Sequence, residues 1–176
     1  MKPAWFGVLL LAGCAGPSYG HSRVYQLADG EMAAVSGARL YDASLVSPGG
    51  DDSAKGRVVV FGVVESRSAG PSGQALLKLS VRTLEPRNIC ATTGDDESCR
   101  VTVSDKDAGA VWALVRLRAD DDIGPRAVGQ RSLLRLAGTI GQDVSPVDGG
   151  PIVHATFYRQ WPSTQYLTPA RAGEIR

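Results

Sequence analysis

Apolar and polar residues alternate in short runs along this chain, and glycine or proline interrupts the pattern after almost every run. Residues 57–65 are apolar enough for a strand that is buried on both faces. Residues 77–82 alternate strictly between apolar and polar side chains, which is typical of a half-exposed strand. Further strands are predicted at residues 100–103, 110–118, 132–140 and 151–159. The pattern therefore predicts a mostly β protein.

Two shorter runs near the start of the chain predict an appended β-hairpin. Residues 24–27 and 31–35 flank an Asp29-Gly30 pair, and Asp-Gly is a preferred turn between two antiparallel strands. A loop rich in proline, glycine and aspartate follows. The expected organisation is an N-terminal hairpin and loop at residues 23–55, a β-barrel-like domain at residues 56–162 and a C-terminal tail at residues 163–176.

The number and spacing of the later strands suggest a small closed or nearly closed barrel, because Gly62 and Gly138 lie inside two of them and mark bends. The last two strands, entered through residues 128–130 and joined across residues 147–150, resemble the closing strands of an OB-fold. An OB-fold has a helix between its third and fourth strands, whereas this chain has an acidic loop at residues 119–125. We predict a small OB-like barrel of five to six strands with the N-terminal hairpin as an extension. A β-sandwich is the alternative.

The first residues have the features of a secretory signal. One positive charge, Lys2, precedes a short apolar run at residues 4–11, and Leu11-Ala12-Gly13-Cys14 follows. The apolar run is far shorter than the roughly 20 residues that a membrane-spanning helix needs. Residues 1–13 are therefore predicted to be a cleaved signal peptide rather than a transmembrane anchor.

The Leu11-Ala12-Gly13-Cys14 motif resembles the lipobox of bacterial lipoproteins. The resemblance implies cleavage before Cys14, a thioether-linked lipid on its thiol, and acylation of the new amine by a chain such as palmitate. Ala15 follows, where an aspartate would favour retention in the inner membrane, so the resemblance implies the periplasmic face of the outer membrane, with the inner membrane as the alternative. Residues 14–22 are expected to be a lipidated flexible tether. A plain signal peptide with an incidental cysteine is the other interpretation.

The charge balance narrows the classes of partner. Cleavage removes one basic residue, Lys2, and leaves 18 basic and 18 acidic side chains. A net charge of zero argues against sequence-independent nucleic-acid binding, which depends on a basic surface that neutralises phosphates. It also argues against a polybasic membrane-binding face. No nucleic-acid partner is expected.

Two cysteines remain once Cys14 is assigned to lipid. Cys90 and Cys99 flank a polar, turn-rich segment that can bring two strand ends together. In an oxidising compartment such a pair usually forms a disulfide. We therefore predict a Cys90 to Cys99 disulfide bond.

No motif in the chain predicts catalysis. The Gly-x-Ser-x-Gly match at residues 16–20 lies in the predicted tether and not at the strand-to-helix turn that a nucleophile elbow needs, and there is no phosphate-binding glycine-rich loop. His21 and His154 each lack a second ligand or catalytic partner nearby in sequence, and the Asp120-Asp121-Asp122 run lacks the alternate spacing of a calcium loop and is expected to be a solvated turn. We predict no catalytic residue, no metal site and no cofactor.

Three aromatic residues near the C-terminus are expected to gather at one edge of the barrel. The final strand is predicted to end at Arg159, so Trp161 turns off the sheet, with Tyr158 before it and Tyr166 after it. Aromatic side chains are enriched at binding hot spots, which makes these three a candidate partner surface. The alternative is that they plug the open end of the barrel.

These observations favour a non-enzymatic protein-interaction module, anchored to a membrane through lipid on Cys14 and facing the periplasm. Its partner would be another envelope protein, for instance in a secretion or conjugation assembly. The first alternative is a barrel that binds a small molecule, a glycan or a lipid, which a large apolar cavity would favour. The second is a hydrolase whose site is assembled only in three dimensions, around His154.

The lipid anchor can be tested with Cys14→Ser. The substitution removes the thiol that carries the diacylglycerol, so the variant should remain an uncleaved precursor or become soluble. Fractionation of cells and immunoblotting measure this directly. A variant that fractionates with outer membranes as the wild type does would refute the lipid anchor.

Overall fold

A computed structural model describes residues 23–43, 56–92 and 95–174. The predicted signal peptide, the tether with Cys14 and the loop at residues 44–55 lie outside the described residues. Within the described ranges no helix has the length and apolar character needed to cross a membrane.

Nine strands and two short helices make up the described part of the chain. The helices are α1 (Glu31–Val35) and α2 (Ala119–Asp122). The strands are β1 (Arg39–Leu40), β2 (Gly56–Ala69), β3 (Ala75–Val81), β4 (Ile89–Cys90), β5 (Cys99–Thr102), β6 (Ala110–Val115), β7 (Leu133–Val144), β8 (Pro151–Trp161) and β9 (Tyr166–Leu167).

Five of these strands close into a barrel in the order β2-β3-β6-β8-β7, and β7 pairs again with β2. All pairs are antiparallel except β6 with β8, which is parallel. This order is that of an OB-fold, with β1 added as an extra parallel strand beside β2. The predicted OB-like barrel is confirmed, and the sandwich alternative is not what the chain forms.

Alternate residues of each barrel strand point inward and fill the barrel with side chains. Gly62 lies where β2 and β3 approach closely, because a Cβ on it would lie 2.9 Å from the Cβ of Leu79. The interior includes Val58, Val60, Val64, Leu77, Leu79, Val111, Ala113, Leu134, Leu136, Ile140, Val153 and Tyr158.

A polar network around α2 covers one end of the barrel. Asp121 is 4% exposed and accepts hydrogen bonds from the Tyr158 hydroxyl at 2.6 Å, the Arg118 Nε at 2.6 Å and the Gln160 amide at 3.0 Å. The prediction that the three aspartates form a solvated turn is therefore wrong for Asp121. Helix α2 lies where an OB-fold has its linking helix, so the predicted departure from that fold is smaller than expected.

The predicted N-terminal hairpin is wrong. Residues 23–25 form a 3₁₀ turn and residues 31–35 form α1, which begins after Gly30 in a left-handed conformation, φ 76°. The physical reason is tertiary: as a helix, this segment places Glu31, which is 0% exposed, against Arg135 and Arg159 on the outer wall of the barrel. We call residues 23–43 the strap.

A second, three-stranded sheet packs on the outside of the barrel. Its strand order is β4-β5-β9. The run at residues 100–103, which was expected to be a strand of the barrel, therefore belongs to this second sheet instead. The predicted C-terminal tail is also not free, because β9 pairs with β5 and residues 169–174 form a 3₁₀ helix. A separate apolar cluster joins the two sheets, made of Phe61, Val101, Val103, Leu133, Trp161 and Tyr166.

The three aromatic residues expected to form a partner surface are all buried. Tyr158, Trp161 and Tyr166 are 8%, 4% and 6% exposed. Tyr158 points into the barrel beneath α2, whereas Trp161 of β8 and Tyr166 of β9 pack in the cluster between the outer wall of the barrel and the second sheet. The prediction that these three residues form a partner surface is therefore wrong. They also do not form one plug at the end of the barrel, because they pack in two separate clusters. The reason is that the chain turns back after Pro162 and pairs with β5.

The predicted disulfide is present: Cys90 and Cys99 are bonded across the β4 and β5 pair. Alkylation of the unreduced protein should therefore label neither cysteine, and reduction should expose both to the reagent. Reduction should also lower the free energy of unfolding by about 2.7 kcal/mol, because the closed loop restricts the unfolded chain. Mass analysis after alkylation decides the point, and full labelling of the folded, unreduced protein would contradict it.

The burial of Trp161 predicts that Trp161→Ala destabilises the purified domain. Truncating a buried tryptophan typically costs about 3–5 kcal/mol, so thermal melting should occur at a markedly lower temperature. Val147→Ala is the control, because Val147 is 68% exposed and its truncation should leave melting unchanged. A Trp161→Ala variant that melts like the wild type would show that the second sheet does not need this contact.

Candidate functional site

An apolar depression lies on the outer surface of the barrel, between two loops. One loop joins β2 to β3 at residues 70–74, and the other joins β7 to β8 at residues 145–150. The depression has a volume of about 400 Å³ and we call it the loop groove. Its lining residues are Ala69, Gly70, Pro71, Leu76, Leu114, Asp143, Pro146, Ile152 and His154.

The floor of the loop groove is built from outward-facing residues of three barrel strands. Leu76 of β3, Leu114 of β6 and Ile152 of β8 pack with Trp112 into one cluster, although they point away from the interior. These strands are thus apolar on both faces where the groove lies. Trp112 is only 4% exposed, so its ring lies under the neighbouring loop and is not accessible for stacking against a ligand.

Asp148 fixes the loop at residues 145–150 over Trp112. One oxygen of its carboxylate accepts hydrogen bonds from the Trp112 indole at 2.7 Å and from the Gly150 N–H at 3.0 Å, and the other lies 3.3 Å from the Lys78 ammonium. These contacts, with the Gly150 N–H first, hold the pKa of Asp148 below its ordinary value. The carboxylate therefore stays charged at neutral pH and keeps Pro146 in position as a wall of the loop groove.

The only titratable pair among the lining residues of the loop groove lies at its rim. The His154 Nε2 is 2.8 Å from the Asp143 carboxylate, and their side chains are 44% and 67% exposed. A nucleophilic site consists of a nucleophile, a base such as an imidazole, and a group such as a carboxylate that orients the base. His154 and Asp143 match the base and the orienting group. The lining residues of the groove include no hydroxyl or thiol.

The structure separates the residues that the sequence singled out. The partner-surface aromatics Tyr158, Trp161 and Tyr166 do not line the loop groove, and the disulfide belongs to the second sheet. Cys14 lies outside the described residues. Among residues 23–43, 56–92 and 95–174, no cluster of histidine, cysteine, aspartate or glutamate could hold a metal ion.

Sequence reasoning missed the floor of the loop groove and its Asp148 anchor. A signal was present for the floor: the run at residues 110–115 is apolar at consecutive positions, although a strand with one solvated face should alternate. Asp148 gave no comparable signal, because an aspartate in a Val-Asp-Gly-Gly turn is expected in any hairpin loop.

Comparisons with known proteins assign this chain to no family. No protein-family model matches the chain, and no curated protein matches it by sequence. Among solved structures, the chain is similar to a small single-stranded DNA-binding protein from Streptomyces coelicolor, with 16% identity and a TM-score of 0.35. The match covers 61% of this chain and 93% of the other. A likeness of this size carries no conclusion about ligand or activity.

Proposed function

We propose that the protein is a lipid-anchored, periplasm-facing module of the bacterial outer membrane that binds another envelope protein through the loop groove and catalyses no reaction. The observation that carries the proposal is the apolar floor of this groove on the outside of a barrel whose interior is filled. An accessory role in an envelope secretion or conjugation assembly fits such a module.

The packed interior directs binding to the outer surface. Val58, Leu77 and Leu134 are all 0% exposed and lie at the centre of the barrel, where a ligand cavity would have to be. A barrel that enclosed a ligand would leave a void between such side chains. The alternative of a ligand inside the barrel therefore has no support, which favours a binding surface on the outside of the barrel.

The shape of the loop groove favours an extended protein segment with aliphatic side chains. Val144 at the end of β7 and Val147 in the loop that follows are the chain neighbours of the lining residues Asp143 and Pro146, and they are 59% and 68% exposed. A partner that covers the floor and these valines would remove apolar surface from water, which drives most protein association. The exposed carboxylate of Asp143 at the rim favours a basic residue in that segment.

The disulfide bond supports a periplasmic location for the domain. Disulfides persist in oxidising environments such as the bacterial periplasm and are rare in the cytosol. The Cys90 to Cys99 bond ties the strands of the second sheet together, and the same compartment is where a lipid on Cys14 would place the domain.

A second candidate is a small apolar molecule in the same groove. The volume of about 400 Å³ falls within the roughly 300–1,000 Å³ of typical small-molecule sites. A small molecule would fill the floor but would leave Val144 and Val147 in water. The two candidates therefore differ in whether the loop valines are covered.

Site-specific photo-cross-linking in intact cells tests the proposal. A benzoylphenylalanine in place of Val147 should give a discrete adduct of protein size, because the partner covers this rim. The matched control is the same substitution at Ile123, which is 80% exposed and lies at the end of α2 rather than at the groove. Ala69→Glu, which adds bulk and charge to the groove wall, should abolish the adduct at position 147 without lowering the melting temperature.

Each other outcome contradicts the proposal in a different way. Equal adducts at positions 123 and 147 would indicate non-specific collision. An adduct that survives Ala69→Glu would place the partner elsewhere on the surface. An adduct with the mass of a small molecule would favour the second candidate.

A further inference from the structure

A second pocket, with a polar lining, lies where the first residues of the strap meet the end of β8 and the second sheet. It has a volume of about 370 Å³ and shares no lining residue with the loop groove. We call it the arginine pocket. Its lining residues include Arg23, Glu97, Cys99, Arg159, Trp161 and Gln165.

Arg159 of β8 is held in one orientation in the wall of the arginine pocket. Its guanidinium lies 4.7 Å from the centroid of the Trp161 ring, and its Nη1 donates a hydrogen bond to the Gln26 carbonyl at 2.5 Å. Its Nε and Nη2 atoms donate to no residue in the described part of the chain, and the side chain is 23% exposed. A planar guanidinium fixed in this way can offer Nε and Nη2 to one carboxylate through two parallel hydrogen bonds.

The charges around the arginine pocket do not cancel. The buried Glu31 carboxylate pairs with Arg135 and also lies 3.4 Å from the Arg159 Nη1, so one carboxylate serves two guanidinium groups. Arg23 adds a positive charge to the lining and Glu97 adds a negative one. Three positive and two negative side chains leave a net charge of +1. A positive charge that is partly removed from water is costly unless a negative group neutralises it, so this pocket favours an anion.

The remaining lining residues suit the rest of a small ligand. Val24 is half-buried and offers apolar surface, whereas Gln165 is exposed and offers an amide that can both donate and accept hydrogen bonds. The volume lies near the lower end of the roughly 300–1,000 Å³ of typical small-molecule sites. A ligand of about the size of a dipeptide would fill it.

We propose that the arginine pocket binds the carboxylate of a small acid or of a peptide end, through Arg159 and Arg23. A carboxylate carries a single negative charge, which balances the net charge of the pocket, whereas a phosphate group at neutral pH carries about 1.5 to 2. The two arginines and the lining of the pocket lie in the described part of the chain. The site depends neither on the loop groove nor on a lipid at Cys14.

Isothermal titration calorimetry on the full chain, purified in a non-ionic detergent, tests the site with matched probes. Acetate presents the carboxylate alone, N-acetylalanylalanine presents it at the end of a peptide, and the C-terminal amide of the same peptide lacks the charge. Acetate and the peptide acid should bind, and the amide should not. Tighter binding of the peptide acid than of acetate would identify a peptide end as the source of the carboxylate, and equal binding would identify a small acid. At constant ionic strength, inorganic phosphate should compete no better than acetate does.

Substitutions in the pocket should change the affinity for N-acetylalanylalanine in opposite directions. Arg23→Gln removes an exposed positive charge and should weaken binding severalfold, whereas Glu97→Gln removes the opposing charge and should strengthen it. Arg159→Lys keeps a positive charge beside Glu31 but loses the planar fork, so it should weaken binding about tenfold. Arg116→Gln is the matched control, because this exposed arginine does not line the pocket and its loss should leave the affinity unchanged.

Thermal melting of each variant separates lost binding from lost folding. Arg23→Gln and Glu97→Gln change exposed side chains and should melt like the wild type. Equal binding of the peptide acid and its amide, no saturable binding of either acid, or stronger competition by phosphate than by acetate would overturn the proposal. So would an affinity that falls as much in Arg116→Gln as in Arg23→Gln, or one that Glu97→Gln leaves unchanged.

Discussion

The fold depends on β2, which must pair with neighbours on both of its edges and close the barrel. Residues 56–63 of this strand pair with β7, and residues 62–69 pair with β3. Gly62 belongs to both pairings, opposite Leu134 on one side and Val81 on the other. A side chain at Gly62 would collide with Leu79, so glycine at this position lets β3 approach closely where β2 pairs with both of its neighbours.

The closed barrel is filled with side chains, so the rest of the chain packs against its outer wall. Side chains on the outer wall are buried in two different ways. Around Trp161 and Phe61 it is covered by an apolar cluster beneath the second sheet, with Arg135 stacked 4.6 Å from the Phe61 ring. Next to this cluster, Arg135 and Arg159 meet Glu31 of the strap. Burial of an ion pair adds little net stability, but it strongly disfavours any other position of the strap, because no other site would neutralise these charges.

The loop groove follows from the same constraint. With no room inside the barrel, the outward residues Leu76, Leu114 and Ile152 create an apolar surface that only loops can cover. Asp148 draws one loop down over Trp112 and leaves the floor between the two loops open. The proposed partner would therefore bind to the outside of the barrel, at the loop groove.

The sequence by itself determined what depends on local spacing. The strands from residue 57 onward and the pairing of Cys90 with Cys99 follow from alternation and cysteine spacing, and the structure has them. The lipobox prediction at Cys14 rests on the same kind of local signal, and it stays a prediction. Tertiary structure alone decided the remainder. An Asp-Gly pair is compatible with a hairpin or with a helix start, and the distant arginines of the barrel wall select the helix by pairing with Glu31. Long-range pairing likewise buries the C-terminal aromatics, because local sequence carries no information about which distant surface a side chain will meet.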